Sequence, residues 1–135
     1  MSVLILEDSP TRIKLFRQGF IGTSTTILTK ASMAISWLKG CTPRLICLDF
    51  DLDQYGEELK YSGTGLDVAS FIAQKAKRFA RSLIIIHSLN EKGSLKMIRI
   101  LKKAGLMVSM HPKLWESSAD MDRLARIVRD YDNKP

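Results

Sequence analysis

Acidic residues directly follow two of the short apolar runs of this sequence, and their type and spacing suit cation binding. Glu7 and Asp8 come after the first run, and Asp49 and Asp51 come after the third. Carboxylates held close together repel one another and raise one another's pKa unless a cation neutralises them. These four carboxylates are therefore candidate ligands of a divalent metal. Oxygen ligands alone suit Mg²⁺, whereas with an additional imidazole manganese, iron or zinc becomes competitive.

Both histidines of the chain, with several other polar residues, also follow apolar runs. His87, Ser88 and Asn90 come after the fourth run, and His111 and Lys113 come after the fifth. An imidazole with an unperturbed pKa of about 6.5 can donate or accept a proton at neutral pH. Hydroxyl, amide and ammonium groups can bind anionic oxygens. The candidate catalytic residues are Asp49, His87 and His111, and the candidate substrate-binding residues are Ser88, Asn90 and Lys113.

Five apolar runs alternate with segments of helical spacing along the whole chain. The runs cover residues 3–6, 25–28, 45–48, 83–86 and 106–110. Five strand–helix pairs predict one α/β domain over residues 1–135, a doubly wound (βα)5 fold with a five-stranded parallel sheet. Ligands of such sheets bind at the carboxyl ends of the strands. The fold would therefore gather the acidic residues and both histidines at one edge.

Charge is unevenly distributed along the chain. The net charge is +7; residues 1–68 hold 7 basic and 8 acidic side chains, whereas residues 69–135 hold 14 basic and 6 acidic ones. Such an excess predicts an anionic partner. Since the same sheet edge would carry the carboxylates, a small phosphate-containing anion beside a metal is favoured. Nucleic acid stays open as a second class of anionic partner.

Several classes of protein lack their signals here. The sequence has no GxGxxG, GxxxxGK[ST] or GxSxG motif, which argues against dinucleotide, P-loop and α/β-hydrolase chemistry. Its two cysteines, Cys41 and Cys47, form no CxxC pair, which argues against a disulfide framework or a zinc–thiolate site. No apolar stretch approaches the roughly 20 residues of a membrane span. We therefore expect a cytoplasmic protein with free thiols and no membrane contact.

Three sequence blocks, together with the acidic pair, resemble a known family over nearly the whole chain. The blocks are Leu48-Asp49-Phe50-Asp51-Leu52, Thr64-Gly65-Leu66-Asp67-Val68 and Ile86-His87-Ser88-Leu89-Asn90. The sequence resembles response-regulator receiver domains and is most similar to the cyclic-phosphate processing receiver-like offshoot. That resemblance implies a flavodoxin-like, receiver-like fold. In receivers the acids hold magnesium, the strand-three aspartate (here Asp49) accepts a phosphoryl group, and the hydroxyl residue after strand four (here Ser88) helps to read it out.

The chain departs from the receiver pattern at two places and from the pattern of the offshoot at one. His111-Pro112 stands where receivers carry Lys-Pro, and that lysine contacts the phosphoryl group in receivers. Phe50 stands between the two aspartates, where the offshoot usually has a histidine. Residues 54–62 form an insertion relative to the receiver loop. The missing lysine puts the usual receiver switch in doubt, and Phe50 removes one ligand or proton carrier expected of the offshoot. The long loop and His87 are the features that point to the offshoot.

Three functions follow from these patterns. The first is a metal-dependent phosphoesterase, a cyclic phosphodiesterase that acts on a cyclic phosphate or cyclic nucleotide with Mg²⁺ or Mn²⁺ at the carboxyl edge of the sheet. The alternative is a stand-alone response-regulator receiver that is phosphorylated on Asp49 and signals through a protein partner. The third is a non-catalytic protein that binds a nucleotide or RNA through its basic second half.

Overall fold

The computed structural model describes residues 2–52 and 63–132, the last two by their backbone alone. The predicted insertion at residues 54–62 lies outside the described residues. The strands are β1 (Ser2–Leu6), β2 (Ser24–Leu28), β3 (Leu45–Leu48), β4 (Leu83–Ile86) and β5 (Met107–Met110). The helices are α1 (Pro10–Gly19), α2 (Ala31–Gly40), α3 (Gly65–Gln74), α4 (Glu91–Lys103) and α5 (Ser118–Asp132), with a 3₁₀ turn at Leu114–Glu116.

The five strands form one parallel sheet in the order β2-β1-β3-β4-β5. This order reverses direction beside β1, as expected of a doubly wound sheet, and the predicted fold class is confirmed. In the ladders Leu6 pairs with Leu48, and Leu48 pairs with Ile86. The three central strands therefore end in register.

Both faces of the sheet are buried, so its central strands are apolar without alternation. Leu4, Leu6 and their counterparts on β3 and β4 pack against α2, α3 and α4. Val3 and Ile5 point to the opposite face, where they pack with Phe16 of α1 and with α5. Because side chains alternate along a strand, the residue after Leu6 points to the α1 and α5 side.

Local signals set several of the helix ends near the carboxyl edge. The Ser9 hydroxyl accepts from the backbone N–H of Arg12 at 3.4 Å, and Pro10 occupies the first helical position. Asn90 caps α4 by accepting from Gly93 N–H at 2.9 Å. At the far end of α4, Gly105 adopts a φ of 83°. A glycine reaches this left-handed conformation without strain, and it ends the helix.

None of the helices in the described ranges combines the length and apolar character needed to cross a membrane.

Candidate functional site

The register of the sheet brings Glu7, Asp49 and His87 together at its carboxyl edge. Each is the first residue after its strand, and the backbone N–H groups of Glu7, Asp49 and His87 donate to Leu28, Leu6 and Leu48 on the neighbouring strands. One ligand atom from each side chain can be chosen so that all three lie within 4.8 Å of one another. Two of the four candidate acids, Glu7 and Asp49, thus meet His87 at the carboxyl edge of the sheet.

Glu7 is fully buried at the base of this cluster. Its Oε2 accepts from the backbone N–H groups of Asp8 at 3.0 Å and Ser9 at 3.2 Å, at the start of α1. Its Oε1 instead lies 3.3 Å from Nε2 of His87. Burial raises the pKa of Glu7, but His87, the Ser9 N–H and the charge of Arg12 outweigh burial, so that the pKa of this carboxyl is lowered.

Asp49 is almost fully buried as well, but the balance of forces on it is reversed. Burial and the charge of Glu7 raise its pKa, and His87, the Ser88 side chain and Arg12 only partly oppose them, so that the pKa lies above its usual value. A carboxylate in this setting costs folding free energy when it is ionised. A cation beside Asp49 would remove that cost.

His87 is held by aromatic rings and is fully buried. Its ring centroid lies 4.9 Å from that of Phe16 and 5.8 Å from that of Trp115, both in edge-to-face arrangements. Within the described ranges, the two ring nitrogens of His87 lack an aligned hydrogen-bond partner, and so does Oε1 of Glu7. Buried polar atoms normally have one, and such a group needs an explanation.

A divalent metal ion fits these residues. Two carboxylates and an imidazole offer oxygen and nitrogen ligands, and the unpartnered atoms of Glu7 and His87 lie among them. Atoms bound about 2.1 Å from one ion lie at most about 4.2 Å apart. The present spread of up to 4.8 Å would therefore need only a small contraction.

A cleft of about 310 Å³ opens above this cluster. It is lined by Asp8, Ser9, Arg12, Asp49, Asp51, Ser88, Leu89 and Asn90. Asp51 is exposed and accepts from Nδ2 of Asn90 at 3.0 Å, and the Ser88 hydroxyl accepts from the Asn90 N–H at 3.0 Å. Four predicted site residues therefore line the cleft next to Asp49: Asp8, Asp51, Ser88 and Asn90. Glu7 and His87 lie beneath them.

The second sequence block packs against the end of β3. Gly65 donates its N–H to the carbonyl of Phe50 at 3.0 Å, and a Cβ at Gly65 would lie 1.9 Å from the carbonyl oxygen of Asp49. Thr64 caps α3 and Asp67 completes the capping box. The Phe50 ring packs where a Cβ on Gly93 would be, only 2.3 Å from the nearest ring atom. Phe50 is thus a packing residue against α4.

The structure does not bring His111 and Lys113 to the cleft. Nε2 of His111 lies 2.8 Å from Oδ2 of Asp120, which also accepts from the Ser117 hydroxyl at 2.6 Å. These contacts with Ser117 and then His111 lower the pKa of Asp120. Lys113 is exposed and precedes the 3₁₀ turn with a φ of 59°. The backbone N–H of His111 donates to the Ile86 carbonyl at the sheet edge, but its imidazole contacts Asp120 in the first turn of α5.

Two residues of the site, Arg12 and Trp115, were not predicted. Arg12 lies in the first turn of α1, and its NH1 is 3.8 Å from Oε1 of Glu7 and 3.9 Å from Oδ2 of Asp49. Its guanidinium lies 4.2 Å from the centre of the Trp115 ring. The Ser9-Pro10 helix start directly follows the acidic pair, and this signal could have placed Arg12 in the first turn of a helix beside those carboxylates.

Solved structures of receiver domains share this fold. The CheY-like receiver domain protein from Methanospirillum hungatei matches with a TM-score of 0.63 and 17% identity over 97% of this chain and 93% of its own. The BeF3-activated receiver domain of Nitrogen Regulatory Protein C matches with a TM-score of 0.67 and 15% identity, over 98% of this chain and 96% of its own. The Mn²⁺-bound form of response regulator Rcp1 matches with a TM-score of 0.62 and 18% identity, over 96% of this chain and 92% of its own.

Sequence comparison identifies the narrower group. A search of curated proteins gave no match. Residues 3–103 match the family model of the cyclic-phosphate processing receiver domain. The matched range contains the three sequence blocks and all the residues of the cluster and of the cleft lining. The chain therefore belongs to the cyclic-phosphate processing receiver domain family, and its sheet has the receiver-like, flavodoxin-like topology.

Proposed function

We propose that this protein is a metal-dependent phosphoesterase that opens a cyclic phosphate in the cleft above Asp49. The observation that carries this proposal is the convergence of Glu7, Asp49 and His87 within 4.8 Å beneath that cleft. A buried imidazole among the carboxylates gives a mixed nitrogen and oxygen ligand set. Such a set favours Mn²⁺ over Mg²⁺.

Glu7, Asp49 and His87 would hold the ion, and Asp8 and Asp51 would complete its ligands from the cleft. When bound there, a divalent cation supplies Lewis acidity and neutralises charge on the phosphate. We assign His87 to this ligand set rather than to proton transfer. The reason is that its ring is fully buried and its Nε2 faces Glu7.

The reaction is the addition of water to a cyclic phosphodiester. A bond forms between the water oxygen and phosphorus, one ester bond from phosphorus to oxygen breaks, and a proton reaches the leaving oxygen. The product is an open phosphomonoester. Ser88 lies at the cleft wall where its hydroxyl can bind a phosphate oxygen, and Asn90 orients Asp51 through the bond from its Nδ2.

A substrate survey tests this proposal. The full chain is incubated with 2′,3′-cyclic nucleotides, 3′,5′-cyclic nucleotides and cyclic dinucleotides, each with Mg²⁺, with Mn²⁺ or with a chelator. We expect at least one substrate to be opened, faster with Mn²⁺ than with Mg²⁺ and not at all with the chelator. Absence of turnover for every substrate, in a protein whose melting temperature shows that it binds the metal, would refute the proposal.

Matched variants connect the activity to the cluster. Asp49→Asn and His87→Gln remove ligands in the proposed metal site, whereas Asp122→Asn removes an exposed carboxylate that pairs with Arg126 on α5. We expect the first two to lower kcat by about 100-fold or more, as for loss of an essential group. Asp122→Asn should retain wild-type activity.

A receiver that signals through phosphorylated Asp49 is the second candidate function. The observation in its favour is that the Asp49 side chain lines an open cleft in a fold shared with response regulators. Incubation with acetyl phosphate and Mg²⁺, followed by intact mass measurement, tests it. A gain of one phosphoryl group that Asp49→Asn abolishes would support this function, and an unchanged mass would count against it.

A further inference from the structure

Arg12 combines contacts with both buried carboxylates and with an aromatic ring. Its NH1 lies 3.8 Å from Glu7 and 3.9 Å from Asp49, and its guanidinium lies 4.2 Å from the centre of the Trp115 ring. The side chain is 29% exposed and lines the cleft. Among the described residues that line the cleft, Arg12 is the one cation.

The distances show how Arg12 is held. Both carboxylate contacts exceed the roughly 3.2 Å of an ordinary hydrogen bond. The guanidinium is therefore attracted by charge and stacked on Trp115, but its N–H donors are not aligned on either carboxylate. Arg12 lines the cleft, and a planar guanidinium there can donate to two oxygens of a phosphate group at once.

A metal ion in the cluster would change the forces on Arg12. The ion's positive charge would offset the carboxylates that attract the guanidinium, and the two cations would repel one another. A phosphate anion between them would relieve that repulsion. Arg12 is thus poised for an anion that arrives with the metal.

We propose that Arg12 binds the non-bridging phosphate oxygens in the cleft and makes the site selective for a phosphate anion. This inference rests on the proposed phosphoesterase function and assigns to it a residue outside the strand ends. A structural counter-ion for Glu7 and Asp49 would behave differently. Its loss would disturb the carboxylates but would leave the affinity of the metal-loaded site for phosphate unchanged.

Two titrations with opposite expected outcomes test the assignment. Mn²⁺ binding to the full chain is measured by calorimetry, and inorganic phosphate binding is then measured on the Mn²⁺-saturated protein. Arg12→Gln should weaken phosphate binding by about 10-fold or more, the loss expected for a charge-assisted hydrogen bond. It should also tighten Mn²⁺ binding, because a neighbouring positive charge is removed.

Two further variants guard the interpretation. Arg12→Lys keeps the charge but loses the planar fork, so its phosphate affinity should fall between those of the wild type and Arg12→Gln. Arg126→Gln removes an exposed arginine on α5 that pairs with Asp122 and should change neither titration. If Arg12→Gln does not fold, Arg12→Lys alone decides: wild-type phosphate affinity in that variant would overturn the need for a guanidinium.

The outcomes separate this inference from the proposed function. Equal phosphate affinity in wild type and Arg12→Gln would overturn the role of Arg12, while turnover of a cyclic phosphate by both would leave the function standing. Wild-type protein that binds Mn²⁺ but no phosphate would also overturn the inference. Wild-type protein that binds Mn²⁺, binds no phosphate and turns over none of the surveyed substrates would overturn both the role of Arg12 and the proposed function.

Discussion

At the scale of single residues, Asp49 is a carboxylate whose charge is costly without a cation. Burial and the nearby Glu7 raise its pKa. An acid with a raised folded-state pKa destabilises the fold at pH values above that pKa, because the unfolded state ionises more easily. The penalty vanishes at pH values below the ordinary range of an aspartate, where both states are protonated.

Asp49→Asn should therefore stabilise the metal-free protein at neutral pH. We expect a rise in melting temperature of about 2–5 °C, corresponding to roughly 1 kcal/mol. The rise should disappear when the pH is lowered below the ordinary aspartate range. Thermal unfolding followed by circular dichroism in the presence of a chelator measures both. A lower melting temperature for Asp49→Asn at neutral pH would show that the ionised carboxylate stabilises the fold.

The same substitution should remove stabilisation by the metal. A ligand at 100 times its Kd adds about 2.7 kcal/mol of stability to the native state. Wild-type protein should thus melt at a higher temperature in Mn²⁺ than in chelator, and Asp49→Asn should show little difference. An equal response of the two proteins to Mn²⁺ would place the ion elsewhere.

His111 provides the converse prediction, because its imidazole is bonded to Asp120 rather than to the cleft. His111→Gln should retain kcat and KM for a cyclic phosphate within about twofold, and it should lower the melting temperature only slightly, because the lost contact with Asp120 is partly exposed to solvent. Steady-state kinetics with Mn²⁺ measure the effect. A fall in kcat of more than about 10-fold would restore His111 to the catalytic set.

At the scale of elements, the close approach of α3 to the end of β3 positions Asp49. Gly65 is the contact point, since a Cβ there would lie 1.9 Å from the Asp49 carbonyl oxygen. Because the Asp49 carbonyl belongs to the backbone, it cannot move aside as the end of a flexible side chain can. Any side chain at residue 65 must therefore displace either α3 or the strand end that carries Asp49.

Gly65→Ala should destabilise the fold by about 1–3 kcal/mol and weaken Mn²⁺ binding. Gly40→Ala is the matched control, because no atom lies within 4 Å of a Cβ at the end of α2. That control should be neutral or slightly stabilising, since alanine favours a helix more than glycine does. Urea unfolding and calorimetric Mn²⁺ titration measure both variants. Equal stability of the two would show that α3 does not fix Asp49.

Prediction from the sequence was more accurate for the strands that position the site than for the residues that pack over it, Arg12 and Trp115. The central strands 45–48 and 83–86 were predicted with their observed ends, because a buried parallel strand is a continuous apolar run. Strand β5 begins at Met107 instead of residue 106, since Leu106 donates its N–H to the carbonyl of Leu101 after α4. The predicted ends of the central strands, Leu6, Leu48 and Ile86, are paired with one another in the sheet.

Contacts between elements distant in the chain could not be predicted in this way. Trp115 and Arg12 are about a hundred positions apart, and only the packed α1 and 3₁₀ turn bring them into contact. His111 follows β5 at the edge of the sheet, as predicted, but its imidazole contacts Asp120 in the first turn of α5 instead of lining the cleft. The pattern of polar residues after the strands predicts where the backbone of such a residue lies. Contacts with neighbouring elements determine where its side chain lies.

At the scale of the whole molecule, the net charge of +7 favours approach of an anionic substrate. Exposed cations on α4 extend from the cleft wall, where Asn90 caps that helix: Lys92, Lys96, Arg99 and Lys103. Interactions of these exposed charges with a ligand are screened within a Debye length of about 8–10 Å at physiological salt. Under the proposed function, we therefore expect these cations to affect substrate capture and not the chemical step.

Kinetics at two ionic strengths should separate these effects. Raising NaCl from about 50 mM to about 300 mM should raise KM for a cyclic phosphate by about threefold, because screening weakens long-range attraction. The value of kcat should stay nearly constant, since the buried cluster is little screened. A KM that does not depend on salt would mean that the surface charge plays no part in substrate capture.

The central claim is that metal held by Glu7, Asp49 and His87 promotes the addition of water to a cyclic phosphate. Mn²⁺-loaded protein incubated with the surveyed cyclic phosphates in H₂¹⁸O, followed by mass spectrometry of product and protein, tests it most directly. We predict a phosphomonoester that carries one ¹⁸O atom, formed by wild type and not by Asp49→Asn, with the protein mass unchanged. Unaltered substrate, or a phosphorylated protein in place of product, would contradict the claim.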